Sequence, residues 1–292
     1  MQGTVDGFSY GVVTPLAAYV MACLGGALGL RCTTRSLLVS HSWRPAWLAL
    51  GAAAIGSGIW TMHFIAMMGF TIKDIPMHYD KPMTYASLGL AIVMVGFGIF
   101  IVGYRGATGI PLFTGGTVTG LGIASMHYLG MAGMRFHGRF QYNTLTVAAS
   151  VVIAVVAATT ALWAAGRVRG LLWSVGASLV MGLAVSGMHY TGMAALSVHL
   201  HGVPDTTPGD SPTSVLALML IGPLAFLLLA GVVVMFDPLI VMGKPALPPV
   251  EFKPGVPAAT VASHHVRHLP LRPVRGPLRH AGSRASRTPQ NR

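Results

Sequence analysis

Seven apolar runs, each long enough to cross a bilayer, constrain this chain more than any other feature. They lie at roughly Val12 to Leu30, Ala46 to Met68, Met83 to Gly103, Pro111 to Met134, Thr144 to Gly166, Leu171 to Leu196 and Ser214 to Phe236. About 20 apolar residues of helix cover the roughly 30 Å hydrocarbon core, and a backbone in hydrocarbon must satisfy its own hydrogen bonds. The expectation is therefore an all-α polytopic membrane protein. Charged residues make up 9% of the chain, hydrophobic residues 53% and the mean hydropathy is +0.65, a balance that excludes an ordinary soluble domain. The first run has no basic segment ahead of it and no small-residue cleavage site, so it is read as a retained helix rather than a secretory signal.

Charge placement sets the expected orientation. With the N-terminus outside and the C-terminus inside, 15 of the 19 Lys and Arg fall in cytoplasmic loops and tail, while Lys73, Lys81, Arg135 and Arg139 stay outside with Asp6, Asp74, Asp80, Asp205 and Asp210. The positive-inside rule favours this N-out/C-in arrangement and an odd number of spans. The formal net charge of +12 then reads as attraction to anionic lipid headgroups, not to nucleic acid. Cys23 and Cys32 have no CxxC spacing and give no disulfide framework. Residues 241–292 are rich in Pro, Arg, His and Ser, and are expected to be a disordered cytoplasmic tail too short for an enzymatic output domain; residues 8–240 form the membrane domain.

Within the apolar runs one phrase is written three times: Met62-His63-Phe64-Ile65-Ala66-Met67, Met126-His127-Tyr128-Leu129-Gly130-Met131 and Met188-His189-Tyr190-Thr191-Gly192-Met193. The histidines are spaced by 64 and 62 residues, one helix pair, which marks an internal repeat of three motif-bearing pairs plus one further span. The motif helices all run from inside to outside, and each histidine precedes the outer loop by a similar length of helix. The three imidazoles are thus expected at one depth, in the outer half of the bilayer. On a helix, residues i and i+4 share a face about 6 Å apart, so each copy sets an imidazole beside a thioether.

The chemistry follows from the residue types. An imidazole in hydrocarbon is costly unless partnered, and the motif segments hold no Asp, Glu, Lys or Arg to pair with it. His and Met together form a soft donor set suited to Cu(I); zinc prefers Cys, His and carboxylate. The expected ligands are His63, Met67, His127, Met131, His189 and Met193, with copper as the cofactor. Met134 extends the stripe of His127 and Met131 at i+7. Met62, Met126 and Met188 lie about 100° away and serve as packing or as ligands toward a neighbouring helix. His78, His137, His199 and His201 are outer-loop residues, and His264, His265, His268 and His280 belong to the tail; none is taken as a ligand.

These residues resemble the MHYT domain family of bacterial integral membrane proteins, over roughly residues 8 to 240. The resemblance implies a sensor in the bacterial plasma membrane, in which copper held by the motif responds to oxygen, carbon monoxide or nitric oxide and passes the change to a cytoplasmic signalling partner. The first copy departs from the family phrase at Phe64 and Ile65, and the second at Leu129. Three other readings are a copper-transporting or copper-handling membrane protein, for which an inner-side ligand cluster is expected, a membrane cytochrome with histidine-ligated haem, and a structural or assembly factor with no cofactor in which Met and His merely pack. No nucleophile and base pair and no phosphate-cradling loop are found, so the chain is not read as an enzyme. The sequence leaves the oligomeric state open.

Overall fold

The computed structural model describes residues 5–6, 10–72, 77–167, 171–200 and 212–236. The tail from residue 241, Lys73, Asp74, His201, Asp205 and Asp210 lie outside the described residues. In chain order the elements are β1 (Val5–Asp6), α1 (Val13–Ser36), α2 (Arg44–Met68), β2 (Thr71–Ile72), β3 (His78–Tyr79), α3 (Lys81–Arg105), α4 (Gly109–Ala132), β4 (Met134–Arg135), β5 (Gly138–Tyr142), α5 (Thr144–Arg167), α6 (Leu171–Ala194), β6 (Leu196–Leu200) and α7 (Pro212–Met235).

The order resolves into three strand–helix–helix–strand units followed by α7. In each unit the entering strand pairs antiparallel with the leaving one: Val5 opposite Ile72, His78 opposite Arg135, and Gly138 opposite Leu200 through Tyr142 opposite Leu196. Each clasp joins the outer ends of one helix pair and satisfies backbone groups that leave the helices there. Helices α1 to α6 then pack each against the next, and α6 packs back on α1, which closes a ring. α7 lies outside the ring against α2 and α1. This extra cover explains why α2 is 72% buried over its central window, against 22–44% for the other five most apolar helices.

Six helices are long and apolar enough to span a membrane by length and composition. The seventh, α4, has the same 24-residue length but carries six glycines and three threonines, which lower its hydropathy. Those glycines admit neighbours rather than water: a Cβ on Gly120 would stand 2.4 Å from Val155 Cα of α5, and one on Gly116 would stand 2.7 Å from Thr159 Cα. Close approach at small residues is how membrane helices gain packing contacts. Outward faces present Leu16, Phe97, Val156, Leu183 and Leu228, each more than half exposed, an apolar belt that only lipid can cover. The chain is a multi-pass, all-α membrane protein.

Helix directions bring Arg35, Arg44, Arg105 and Arg167 to one end of the bundle and the three clasps to the other. Arg35 stacks over Trp47, Arg44 over Tyr104 and Arg167 over Trp163, with 5.0–5.7 Å from guanidinium to ring centroid. Such Arg–aromatic girdles sit at a membrane interface, and the positive-inside rule assigns this end to the cytoplasm. Arg135, an outer cation that runs against that rule, is paired with Asp80 at 3.3 Å. Asp80 also caps α3 by accepting from the Met83 amide at 3.1 Å, and Asn143 caps α5 by accepting from the Thr146 amide.

The helices match the expected runs closely except at one end. α1 continues six residues past Leu30, through Arg31 and Arg35, where a loop was expected. Thr33 and Thr34 donate their hydroxyls to the Gly29 and Leu30 carbonyls four residues back, so these polar side chains find partners within the helix as it nears the interface. Met134 is a second correction: α4 stops at Ala132, and Met134 lies in β4 opposite Tyr79, off the helical stripe of His127 and Met131.

Candidate metal centre

His63 of α2, His127 of α4 and His189 of α6 converge inside the ring, each at most 1% exposed. Their Nδ1 atoms form a nearly equilateral triangle with sides of 3.1, 3.2 and 3.3 Å. Ring centroids are 4.9–5.1 Å apart and the ring planes meet at 78–89°, so the imidazoles form a three-bladed propeller with Nδ1 at the hub. The repeat builds this directly. Each histidine stands seven or eight residues before the strand that closes its unit, which sets all three at one height.

Hydrogen bonds alone do not satisfy such a hub. A neutral imidazole carries one N–H, and a proton on one Nδ1 serves one neighbour well, leaving at least one pair of lone pairs face to face at about 3.2 Å. A cation removes the conflict. The triangle's centre lies about 1.8–1.9 Å from each nitrogen, close to the roughly 2.0–2.1 Å of a zinc–imidazole bond, so one ion near the hub meets three donors at bonding distance with little rearrangement. These three buried histidines form the one group of three or more His, Cys, Asp or Glu suited to a metal ion among the described residues. With Nδ1 on a metal the ring protons move to Nε2, and the Nε2 atoms of His63 and His127 are buried with no partner.

Two glycines hold the rings in place. A Cβ on Gly130 would stand 2.8 Å from His63 Nε2, and one on Gly192 would stand 2.5 Å from His127 Nε2 and 3.0 Å from its Cδ2. Each glycine lies three residues after the histidine of its own helix and opens room for the imidazole of the preceding motif helix. Both glycines occupy the fifth position of the repeated phrase, which is Ala66, Gly130 and Gly192 in the first, second and third copies.

The residue after each histidine supports it from the side. The rings of Phe64, Tyr128 and Tyr190 stand nearly perpendicular to the adjoining imidazole, with centroids 4.6–4.9 Å apart. Tyr128 shares a 2.7 Å hydrogen bond with Ser150. Phe64 has no exposure and packs against Trp60 at 4.6 Å and Tyr79 at 6.3 Å, an apolar setting in which a hydroxyl would lose its water. The departure of the first copy from Tyr therefore has a packing cause. Trp60 is itself fixed by donating to Ser87 Oγ and to the Thr84 carbonyl of α3.

Met67 and Met131 are buried and Met193 partly so, one helical turn outward of their histidines on the same face. Met62, Met126 and Met188 are as deeply buried, at 0–1% exposure. His78 and His137 are exposed and His199 is half-buried, all on or beside the outer strands.

Comparison with known proteins agrees with this geometry. The model of the MHYT family, described as a bacterial signalling protein N-terminal repeat, matches residues 56–115 and 120–178. Each match begins within or at a motif helix, so the family's repeat is framed one helix later than the strand-clasped unit, and the third motif lies beyond the matched residues. The chain is 39% identical over 192 residues to the bifunctional diguanylate cyclase/cyclic di-GMP phosphodiesterase MucR of Pseudomonas aeruginosa, covering 64% of this chain and 28% of that protein. It is 35% identical over 230 residues to the cyclic di-GMP phosphodiesterase NbdA of the same organism, covering 75% of this chain and 29% of that protein. It is 29% identical over 203 residues to the signalling protein YkoW of Bacillus subtilis, covering 67% and 25% respectively. The chain thus spans less than a third of the length of these curated relatives. No solved structure matches it. Residues 56–178 of this chain therefore carry two repeats of the MHYT family, described as a bacterial signalling protein N-terminal repeat.

Proposed function

We propose that the domain, taken as residues 8–240, is a membrane sensor that holds one copper ion at the His63, His127 and His189 hub and responds to a diatomic gas such as oxygen, carbon monoxide or nitric oxide. The observation that carries this reading is the Nδ1 triangle with sides of 3.1–3.3 Å, buried within the helical ring. All three donors are uncharged. The Born cost of burying an ion rises with the square of its charge, so a divalent ion costs about four times as much as a monovalent one at a site with no anionic ligand. That favours Cu(I), and the thioethers of Met67, Met131 and Met193 on the outer side add soft donors suited to the same ion. A copper ion supplies a soft Lewis-acid position at which a small gas binds. His63, His127 and His189 hold it between three different helices, so a change in its ligation alters the force between α2, α4 and α6. Relatives whose names carry cyclic di-GMP turnover support an output in that signalling system, through a partner or domain on the cytoplasmic side.

The haem and copper-transport readings fit the geometry less well. Three imidazoles whose Nδ1 atoms touch leave no slot for a haem macrocycle between them. Transport calls for a further ligand cluster on the inner side, and residues one turn inward of the histidines are Ile59, Ile123 and Val185. The test is titration of the reduced, copper-loaded protein with carbon monoxide, followed by infrared and absorption spectra. One saturable binding event per copper, lost in His127→Ala, is expected; no spectral change at saturating gas refutes the gas-sensing reading.

A further inference from the structure

One to two helical turns inward of the triad, side chains from all six ring helices line a partly enclosed cavity of about 40 Å³. Its layers follow the repeat. One turn before each histidine stand Ile59, Ile123 and Val185, and two turns before stand Ile55, Thr119 and Met181. Helices α2, α4 and α6 all begin at the inner end, and helical side chains lean toward their helix N-terminus, so each imidazole leans over the residue four places before it. The β-branched collar is therefore the wall between the hub and the cavity.

The chamber has the character of a dry one. A buried water needs two to four polar partners. The lining offers two hydroxyls, and that of Thr33 is spent on the Gly29 carbonyl at 2.9 Å, which leaves Thr119 Oγ1 alone. The volume nonetheless exceeds the roughly 10–15 Å³ that a guest of water size requires, where close-packed interiors keep few such voids. The space is kept open by α5, whose lining side chains include Ala157, Ala158, Ala161 and Ala165. An uncharged, apolar, diatomic-sized guest suits a space with these walls; an ion does not.

We propose that this chamber is a holding site for a small apolar gas molecule, one helical turn inward of the histidines, from which the gas reaches the hub. The second half of the statement rests on the gas-sensing reading; the first stands without it. The probe is xenon, followed by ¹²⁹Xe NMR exchange with the full chain in lipid nanodiscs, both copper-loaded and metal-free, against empty nanodiscs. Wild type is expected to show saturable xenon exchange in both forms. Ala158→Leu, which fills the chamber from a helix bearing no motif, is expected to weaken it at least tenfold with copper content unchanged, and Ile99→Ala, which enlarges the chamber, is expected to strengthen it. No saturable exchange in wild type, or exchange in Ala158→Leu equal to wild type, overturns the proposal. The rate of carbon monoxide binding to the copper-loaded protein is expected to fall about tenfold in Ala158→Leu at an unchanged end point; an unchanged rate removes the feeding role. A protein that takes up xenon yet binds no carbon monoxide keeps the chamber and loses the sensing reading.

Discussion

Replacing Gly192 by alanine adds one methyl group to α6 and tests whether the motif glycine positions the hub. The new Cβ would stand 2.5 Å from His127 Nε2, 3.0 Å from Cδ2 and 3.4 Å from Cε1. Non-bonded heavy atoms in a packed interior settle at about 3.5–4.0 Å, so the ring must retreat by roughly 1 Å. His127 Nδ1 now lies 3.2 and 3.3 Å from its two partners, and a retreat of that size stretches two sides of the triangle well beyond the roughly 0.2 Å tolerance of a metal–ligand bond. Disturbing the groups that orient metal ligands costs about 10–100-fold in affinity. The same substitution at Gly187, five residues earlier on α6, meets nothing within 4 Å and serves as the control, since both changes gain the same roughly 0.5–1 kcal/mol of helix preference. Gly130→Ala, whose Cβ would stand 2.8 Å from His63 Nε2, should fall between them. The assay is competition for Cu(I) against a chromophoric chelator, with a thermal melt of each metal-free variant to show that it folds. Gly192→Ala binding as tightly as Gly187→Ala would refute the reasoning.

Three further outcomes are expected. Replacing Met67, Met131 and Met193 together by leucine keeps volume and should cost less than about 1.5 kcal/mol per site in melts, while Cu(I) affinity falls at least tenfold if the thioethers reach the ion; an unchanged affinity assigns them to packing. Tyr128→Phe recreates the first copy of the motif and leaves Ser150 donating to the Val147 carbonyl, so melts should show a loss of about 0.5–1.5 kcal/mol with no change in metal affinity. At the outer surface the Met83 amide, and next the Arg135 guanidinium, hold the Asp80 carboxyl below its ordinary range. Its stabilising contribution is therefore full at neutral pH and is lost only as pH falls through that lowered value. Asp80→Asn should flatten the acid side of the melting-temperature profile and leave the neutral side, where asparagine still caps α3, little changed.

Much of this architecture was legible in the sequence because the bilayer removes alternatives. A run such as Thr144 to Gly166 has one way to satisfy its backbone in hydrocarbon, and α5 spans Thr144–Arg167. The convergence of His63, His127 and His189 was legible for a related reason: three equal phrases on helices of one direction arrive at one height. The strand clasps were not, since two-residue pairings such as His78–Tyr79 with Met134–Arg135 depend on which loop ends meet in space. Met134 was misplaced for the same cause, as pairing with β3 takes the chain out of the helix two residues before the apolar run ends. The roles of Gly130 and Gly192 were hidden because each serves the histidine of a different helix, a relation that no spacing along one helix records. The chamber was hidden too, because alanine on α5 reads as ordinary membrane filler until five other helices stand around it.

The most direct test is the metal content of the purified protein after reconstitution with Cu(I), by elemental analysis, for wild type beside His63→Ala, His127→Ala, His189→Ala and the triple variant. A hub built from three helices predicts about one copper per chain in wild type, a large loss in every single variant and none bound at the site in the triple. Copper that stays stoichiometric in the triple variant, or wild-type protein that takes up none, would contradict the three-histidine centre and leave the motif as packing.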